Sequence, residues 1–478
     1  MNNNWLKIVL DKGKWYIISS FLSKGMGLIL LPIYTQYLSP EDFGILGLLN
    51  SISQFLTITI SLYLDAALAR FYHSYDKDLK NLRLLFSSIF WFICFFGLIV
   101  IIIFIFLVIS NFITYESIPL IFITLTSISV LFNQLNQLFN IYLRQSLDTK
   151  RTTTVELANS FLSIIIAILL LSLFNMGVIS RIIGSLIGIC FIFVYYIHYF
   201  NSLGMLIFRI NFKIIKLSLK YSLPLLPSVI GGWITTMSDK IILAKYANLD
   251  SVGLYSLAAT FGSLIYVLQD AITQVTGPVS MSGLLKDKTQ TLVNISKISV
   301  IIFGIMISAN FALTLFSKEI ILIFSGEKFS EAANLIGACG FVYVISSQTR
   351  MYNIILSYHE KTFLISFSGI IMSLFSLMLN IIFIPVFGST AAAYSSVGSS
   401  AIGAIWIMYW AKKIENVEIY WNHYFIILIY YFLCTTIMQS NTNMNVFSTL
   451  LKSFLILASF LLVYYMYSNL FKKNQYPV

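Results

Sequence analysis

Three charged residues lie inside long apolar segments of the sequence, where a charge needs a partner or water. Lys24, Asp270 and Arg350 each lie about eight residues from one end of such a segment. In a membrane-spanning helix with a rise of 1.5 Å per residue, that spacing puts them roughly 12 Å deep, where a charge costs about 2.5 to 3.5 kcal/mol. Two cations and one anion at one level predict an anion-binding site, with Asp270 holding the cations or binding a coupling cation.

Phosphate is the anion that suits this pair of cations. The planar guanidinium of Arg350 donates two hydrogen bonds at once, whereas the ammonium of Lys24 acts as a point charge. Asp239 and Lys240 form a second charged pair, near the opposite end of its segment. They are candidates for ion coupling or charge pairing, and local pairing or snorkelling to the interface is the alternative.

A stripe of amides marks the segment "FNQLNQLFNIYLRQ". Asn133, Asn136 or Gln137, Asn140 and Arg144 recur there at helical spacing. Such a stripe suits sugar hydroxyls that pass through a wet cavity, and it equally suits hydrogen bonds between helices.

Enzymatic chemistry is not predicted. The four histidines are scattered, the four cysteines lie inside apolar segments, and no spacing matches a metal site or a nucleophile with its base. We therefore predict no catalytic residues, no metal and no cofactor beyond H⁺ or Na⁺ as a coupling ion.

The elements that position these residues are membrane helices. The chain is 58% hydrophobic and only 10% charged, against about 25% charged in soluble domains. Apolar runs of about 20 residues without alternation read as spanning helices. We predict an all-α integral membrane protein with about fourteen spans, at residues 16–37, 43–69, 84–109, 118–143, 153–174, 178–200, 221–244, 253–278, 297–316, 333–358, 363–384, 390–410, 422–439 and 447–468.

Basic residues orient the spans. Alternate connections and the two ends of the chain together carry 22 of the 30 Lys and Arg residues, and basic residues stay cytoplasmic. Both termini are therefore predicted to be cytoplasmic. The net charge of +11 reflects this orientation rather than nucleic-acid binding.

The sequence contains an internal repeat. The segment "LPIYTQYLSPEDFGILGL" begins at Leu31, and "IILAKYANLDSVGLYSLA" begins at Ile241 with the same build, so that Gly44 matches Gly253. We predict two pseudo-symmetric six-helix lobes, 1–200 and 221–411, joined by a cytoplasmic amphipathic linker, 201–220. Residues 412–478 add two C-terminal spans and a basic tail. A transporter with such lobes places its site between them, although Lys24, Asp270 and Arg350 there could instead form a structural ion pair between the lobes.

Helix breakers cluster in the first span of each lobe. Proline kinks a membrane helix and glycine permits close approach of helices, so these positions predict bending that opens and closes a central cleft, with ordinary packing kinks as the alternative. The residues are Gly25, Gly27 and Pro32 in the first lobe and Pro224, Pro227, Gly231 and Gly232 in the second.

Several segments resemble a known family. These are "LPIYTQYLSPEDFGILGL", "YSLPLLPSVIGGWITTMSDKIILAKY" followed by "VGLYSLA", and "EIILIFSGEKFSEAANLI". They are similar to bacterial polysaccharide-biosynthesis flippases of Wzx type, which translocate O-antigen or capsule repeat units. Multidrug exporters of MATE type and lipid II flippases belong to the same superfamily.

The resemblance implies a MATE-like, two-lobe transporter of the bacterial cytoplasmic membrane. Such a protein moves an undecaprenyl-pyrophosphate-linked oligosaccharide from the cytoplasmic to the outer leaflet by alternating access, coupled to an ion gradient. Its expected partners are membrane lipids, the lipid-linked glycan and other polysaccharide (O-antigen, capsule or lipopolysaccharide) assembly proteins. Lys24 and Arg350 match the family's cation-lined cavity.

Two other functions compete with this one. A MATE-like antiporter of small molecules or drug cations would use an acidic residue such as Asp270 to bind a proton or sodium ion. A membrane polymerase or ligase is disfavoured, because no connection exceeds roughly twenty residues and such enzymes carry a large extracytoplasmic loop.

Overall fold

The structure, a computed structural model, describes residues 31–75, 78–110, 118–146, 148–439 and 446–472. These ranges are helical with short connections and contain no β-strand, which confirms the predicted all-α membrane fold. The predicted spans after the first coincide with a helix or with one half of a broken helix, with one exception. The span 43–69 runs over two helices, Pro40–Ser61 and Leu64–Tyr75, because Leu62 and Tyr63 between them have positive φ. The first span, 16–37, lies largely outside the described residues.

Contacts divide the chain into two compact units, Met1–Trp233 and Ile234–Val478. The predicted lobe boundaries remain a prediction. In the first unit the helices, in chain order, are α1 Leu31–Tyr37, α2 Pro40–Ser61, α3 Leu64–Tyr75, α4 Leu79–Ile109, α5 Leu120–Gln145, α6 Thr149–Phe174, α7 Val178–Ser202 and α8 Phe212–Ser222, followed by a 3₁₀ turn Leu223–Leu225.

Helix α9 crosses the boundary between the units, and the second unit continues to the end of the chain. Its helices are α9 Leu226–Tyr246, α10 Leu249–Lys286, α11 Lys288–Leu315, α12 Ser317–Phe324, a 3₁₀ helix Glu327–Ala332, α13 Ala333–Tyr358, α14 Thr362–Glu415, α15 Trp421–Gln439 and α16 Val446–Lys472.

Nine helices of the described residues are long and apolar enough to cross a membrane, or ten if the bent pair Phe212–Leu225 and Val229–Tyr246 forms one span. Helix α14 counts once, yet it is broken at Gly388, whose φ of 57° and ψ of −135° leave the helical region. The two halves pack together, because Trp406 Nε1 donates to the Leu364 carbonyl at 3.2 Å. Helix α14 therefore contains the two predicted spans 363–384 and 390–410.

The repeated sequence starts the same kind of helix twice. Ser39 caps α2 by accepting from the Asp42 amide at 3.1 Å, and Asn248 caps α10 by accepting from the Ser251 amide at 2.8 Å. A short polar side chain at this position satisfies one of the unpaired amides of the first helical turn. The repeat is thus a signal for the start of a membrane helix.

Aromatic side chains fill the core of the first unit. Phe139 of α5 contacts Phe86 of α4 and Phe200 of α7, with ring centroids 5.4 and 4.6 Å apart. Helices α6 and α7 form a hairpin through small residues, because a Cβ built on Gly184 would lie 2.7 Å from the Ala167 Cβ. Without a hydrophobic drive inside lipid, such close approach is a main source of helix association.

The predicted amphipathic linker contains most of α8 and is part of the first unit, where it packs against α4. Ser87 Oγ of α4 donates to the Met205 carbonyl at 2.8 Å, and Ile215 of α8 is buried. The other side of the segment is exposed and carries both aromatic and basic residues, namely Phe208, Arg209, Phe212, Lys213, Lys216 and Lys220. This pattern is typical of a helix at a membrane interface.

Helices α10 and α13 approach closely at Gly262. A Cβ at that position would lie 2.8 Å from the Cys339 Cβ and from the Gly340 backbone nitrogen. This contact fixes the distance between α10 and α13 two turns before Asp270, so it supports the candidate site described below.

We therefore expect Gly262→Leu to destabilise the protein by about 1–3 kcal/mol, since overpacking a close helix contact forces the backbones apart. The measurement is thermal unfolding in detergent followed by tryptophan fluorescence. Gly369→Leu is the matched control, because a Cβ there meets no atom within 4 Å. Equal melting temperatures for the two variants would show that the contact does not limit stability.

Candidate functional site

Arg350 and Asp270 lie together in the second unit. Arg350 is on α13 and Asp270 is on α10, and the Arg350 Nη1 lies 3.6 Å from the Asp270 Oδ1. The two side chains remain 35% and 28% exposed, so the pair is neither sealed in the core nor tightly bonded. The two charges thus lie in contact, and their pair joins two helices within one unit; their role in the site stays a prediction.

Aromatic and amide groups surround this pair. The Arg350 guanidinium lies over the Tyr266 ring, 5.3 Å from its centroid, and the Tyr266 ring lies 5.5 Å from that of Tyr343. One residue before Asp270, Gln269 donates to Ser346 Oγ at 3.1 Å. The Tyr266 ring therefore orients the guanidinium from one side while its exposed donors stay available.

A loosely paired arginine of this kind can bind an anion. At 3.6 Å the contact with Asp270 is an ion pair without the short geometry of a charge-assisted hydrogen bond. A phosphate that accepts two bonds from the planar guanidinium would compete well with this contact. Lys24, the second predicted cation, lies outside the described residues, as do Gly25 and Gly27.

Asp239 forms a separate buried centre near the end of α9. Its side chain is 2% exposed and accepts a short hydrogen bond from the Tyr255 hydroxyl of α10. The backbone amide of Lys240 donates to the other carboxylate oxygen at 2.7 Å. A buried carboxylate with few donors is a group that can take up a proton or a monovalent cation.

Lys240 points into the protein as well. Its side chain is 8% exposed, and its Nζ lies 3.9 Å from the Met237 Sδ. Snorkelling to the interface, the alternative raised from the sequence, does not fit this burial. The neighbouring Ser238 hydroxyl accepts from Asn380 Nδ2 at 3.3 Å. The Asn380 Oδ1 is buried and has no hydrogen-bond partner among the residues that the structure describes.

The amide stripe of α5 divides into two groups. Asn140 accepts from the Tyr196 hydroxyl of α7 at 2.5 Å, and Asn136 donates to the Ile189 carbonyl at 3.0 Å. Asn133 is exposed and Gln137 is partly exposed. Hydrogen bonds between helices thus occur at both Asn136 and Asn140, and a glycan-facing role stays a prediction for Asn133 and Gln137.

The helix breakers lie where the path of the chain changes. Pro224 lies in the 3₁₀ turn before α9 and Pro227 in its first turn, at a bend of 51°. Pro32 lies in the first turn of α1. Among the described residues, a Cβ on Gly232 would meet no atom within 4 Å. Gating by these residues and by Gly231 stays a prediction.

Some members of these centres carried no signal in the sequence. Tyr255 belongs to an apolar run, and Asn380 is distant in sequence from Ser238. Only the packing of α9 against α10 and α14 brings them together. Among the described residues, no group of three or more His, Cys, Asp or Glu side chains forms a metal site.

Comparison with solved structures shows that this is the fold of a superfamily of membrane transporters. A lipid II flippase MurJ in an inward closed conformation matches with a TM-score of 0.71 and 19% identity, over 95% of this chain and 98% of that one. An inward-facing multidrug-resistance MATE transporter of the MOP superfamily matches with a TM-score of 0.65 and 14% identity, over 80% of this chain and 92% of that one.

A third structure is a MOP-superfamily transporter from Pyrococcus furiosus, described as having a binding pocket of reversed polarity. It matches with a TM-score of 0.58 and 15% identity, over 84% of this chain and 95% of that one. Among curated proteins no match was found. The chain belongs to the family described as "Polysaccharide biosynthesis protein", whose sequence model matches residues 33–334. The resemblance found in the sequence is therefore confirmed at the level of family and fold.

Proposed function

We propose that this protein is a flippase that moves an undecaprenyl-pyrophosphate-linked oligosaccharide from the cytoplasmic to the outer leaflet of a bacterial cytoplasmic membrane. It does so by alternating access, with both termini in the cytoplasm. The fold of a transporter superfamily and membership in a polysaccharide biosynthesis family support this proposal. They favour a transporter over an enzyme, and a glycolipid over a drug.

One observation carries the proposal. Arg350 lies in the interior of a membrane helix, with its side chain 35% exposed and its guanidinium 3.6 Å from its carboxylate partner. A cation that faced lipid there would be expensive, so its exposed part faces a wet space. A pyrophosphate has the charge and geometry to displace Asp270 from this arginine, while the polyprenyl tail stays in lipid.

Two forces drive the transfer outward. An inside-negative potential favours the outward movement of an anion by about 2.3 kcal/mol per charge per 100 mV. The second force is the gradient of a coupling ion, H⁺ or Na⁺. Asp239, which is buried against Tyr255, binds this ion in one of the two access states. Asp270 separates from Arg350 when the pyrophosphate binds there, and it pairs with Arg350 again when the pyrophosphate is released.

The test is transport by the purified chain in proteoliposomes. A fluorescent undecaprenyl-pyrophosphate-linked oligosaccharide is placed in one leaflet, and its transfer is followed with a membrane-impermeant quencher. We expect transfer at least tenfold above protein-free vesicles, and no uptake of ethidium driven by the same gradients. Drug uptake without glycolipid transfer would instead establish the small-molecule antiporter. If the protein shows neither activity, both functions are overturned.

A further inference from the structure

An open cavity of about 480 Å³ lies between α6 and α7 in the first unit. Its volume is within the range of small-molecule sites, roughly 300–1,000 Å³. Its walls come from the first three turns of α6 and from the second half of α7, so it lies at the end of this hairpin that the basic residues predict to be cytoplasmic. Arg350, Asp270 and Asp239 do not line it.

The cavity changes from polar to apolar along its length. Lys150, Arg151 and Thr154 line the end near the predicted membrane surface. One to two turns further along α6, Val155 and Ala158 face Phe191 of α7 across an apolar part. Ala158 lies about 12 Å from Lys150 along the helix, a depth that reaches from lipid headgroups into the acyl chains. Phe191 is 63% exposed, which leaves this side open to lipid.

The charges at the polar end sum to one positive charge. Arg151 Nη1 pairs with Asp148 Oδ2 at 3.2 Å, and its guanidinium lies over the Tyr199 ring, 4.0 Å from the centroid. Nearby, Arg144 pairs with Glu156 at 2.6 Å. Lys150 is exposed and forms no ion pair with any residue that the structure describes. A phosphodiester carries one negative charge, which matches this excess.

We propose that this cavity binds an anionic phospholipid of the cytoplasmic leaflet, with its phosphodiester on Lys150 and Arg151. One acyl chain lies along Val155, Ala158 and Phe191. Basic pockets between membrane helices on the cytoplasmic side are suited to anionic headgroups, and the apolar half distinguishes a lipid from a free phosphate. The proposal does not depend on what the protein transports.

The repeat provides a matched control. Lys150 lies in "NIYLRQSLDTKRT" and Lys361 lies at the corresponding place in "NIILSYHEKT". Lys361 is also exposed and begins a membrane helix, α14, yet it does not line the cavity. Both charge reversals change the net charge equally and lie at a helix start, Lys150 as the second residue of α6 and Lys361 as the residue before α14. Only Lys150→Glu alters the cavity.

The experiment is native mass spectrometry of the delipidated full chain in detergent, titrated with dioleoyl phosphatidylglycerol, dioleoyl phosphatidylcholine or inorganic phosphate. We expect the wild type to bind phosphatidylglycerol at least fivefold more tightly than phosphatidylcholine. Lys150→Glu should weaken the binding of phosphatidylglycerol about 20-fold, since the substitution removes one positive charge and adds a negative one. Lys361→Glu should leave the affinity within twofold of the wild type.

A second pair of variants tests the apolar half. Ala158→Trp fills the apolar half of the cavity and should weaken the binding of phosphatidylglycerol about tenfold, because the lipid can no longer bury an acyl chain there. Ile165→Trp, on an exposed position of the same helix, should not. The proposal is overturned if the two lysine variants lose affinity equally, if the two lipids bind equally, or if inorganic phosphate competes at the concentration of the lipid.

Discussion

Replacing Arg350 with glutamine should reduce glycolipid transfer about 100-fold or more. A buried or half-buried charge pair that loses one member typically costs 2–5 kcal/mol in binding, and here the lost member is the proposed donor to the pyrophosphate. Arg350→Lys keeps the charge and loses the planar fork, so we expect an intermediate loss of about tenfold. Transfer rates in proteoliposomes, normalised to inserted protein, measure both effects.

A structural ion pair would produce a different pattern. Arg350→Gln removes the cation 3.6 Å from Asp270, so loss of activity alone does not separate binding from folding. The double variant Arg350→Gln, Asp270→Asn removes both charges. If the pair is structural, the double variant recovers transport along with stability. We expect recovered thermal stability and transport that stays as low as in Arg350→Gln.

Two further variants complete this test. Arg209→Gln removes an exposed arginine of the linker and should leave transport unchanged. Asp270→Asn releases Arg350 from its partner, so it should bind the pyrophosphate lipid more tightly and release it more slowly. Weaker binding by Asp270→Asn would contradict competition between Asp270 and the substrate.

Asp239→Asn should abolish the stimulation of transport by an ion gradient, a loss of at least tenfold in driven transfer. In the wild type the Tyr255 hydroxyl donates to Asp239, and the asparagine amide of the variant can still accept this hydrogen bond. The amide can neither bind a proton nor attract a cation. Exchange of substrate between leaflets without a gradient should persist. Proton, sodium and potential gradients are imposed one at a time to identify the ion.

The control for this variant is Asp250→Asn, which removes an exposed carboxylate in the first turn of α10. It should respond to gradients as the wild type does. If Asp239→Asn retains full stimulation by the effective gradient, the coupling ion does not bind at Asp239, and its bond with Tyr255 only joins α9 to α10.

Much of the fold follows from the sequence because lipid restricts the options. A spanning segment must satisfy its backbone internally, so apolar length alone locates helices such as α4 and α7. The break of α14 at Gly388 also follows, since Pro385 and Gly388 interrupt a run twice the length of one span. The level of Asp270 and Arg350 was likewise predictable from counting residues along two helices.

The contacts inside the two centres were not predictable in the same way. Nothing in the sequence says that Tyr255 rather than another tyrosine reaches Asp239, or that Asn140 bonds to Tyr196. Those contacts depend on the rotation of each helix about its axis, which weak amphipathicity in an apolar environment leaves open. The cavity beside Lys150 depends on the spacing of two helices, which the sequence does not encode locally.

An experimental structure of the chain bound to an undecaprenyl-pyrophosphate-linked oligosaccharide would decide the matter most directly. We expect the pyrophosphate oxygens within 3.2 Å of the Arg350 guanidinium, with Asp270 withdrawn from its present 3.6 Å contact. A complex that holds the pyrophosphate elsewhere, with the Arg350–Asp270 pair intact, would contradict the proposed role of this arginine in carrying the lipid-linked glycan.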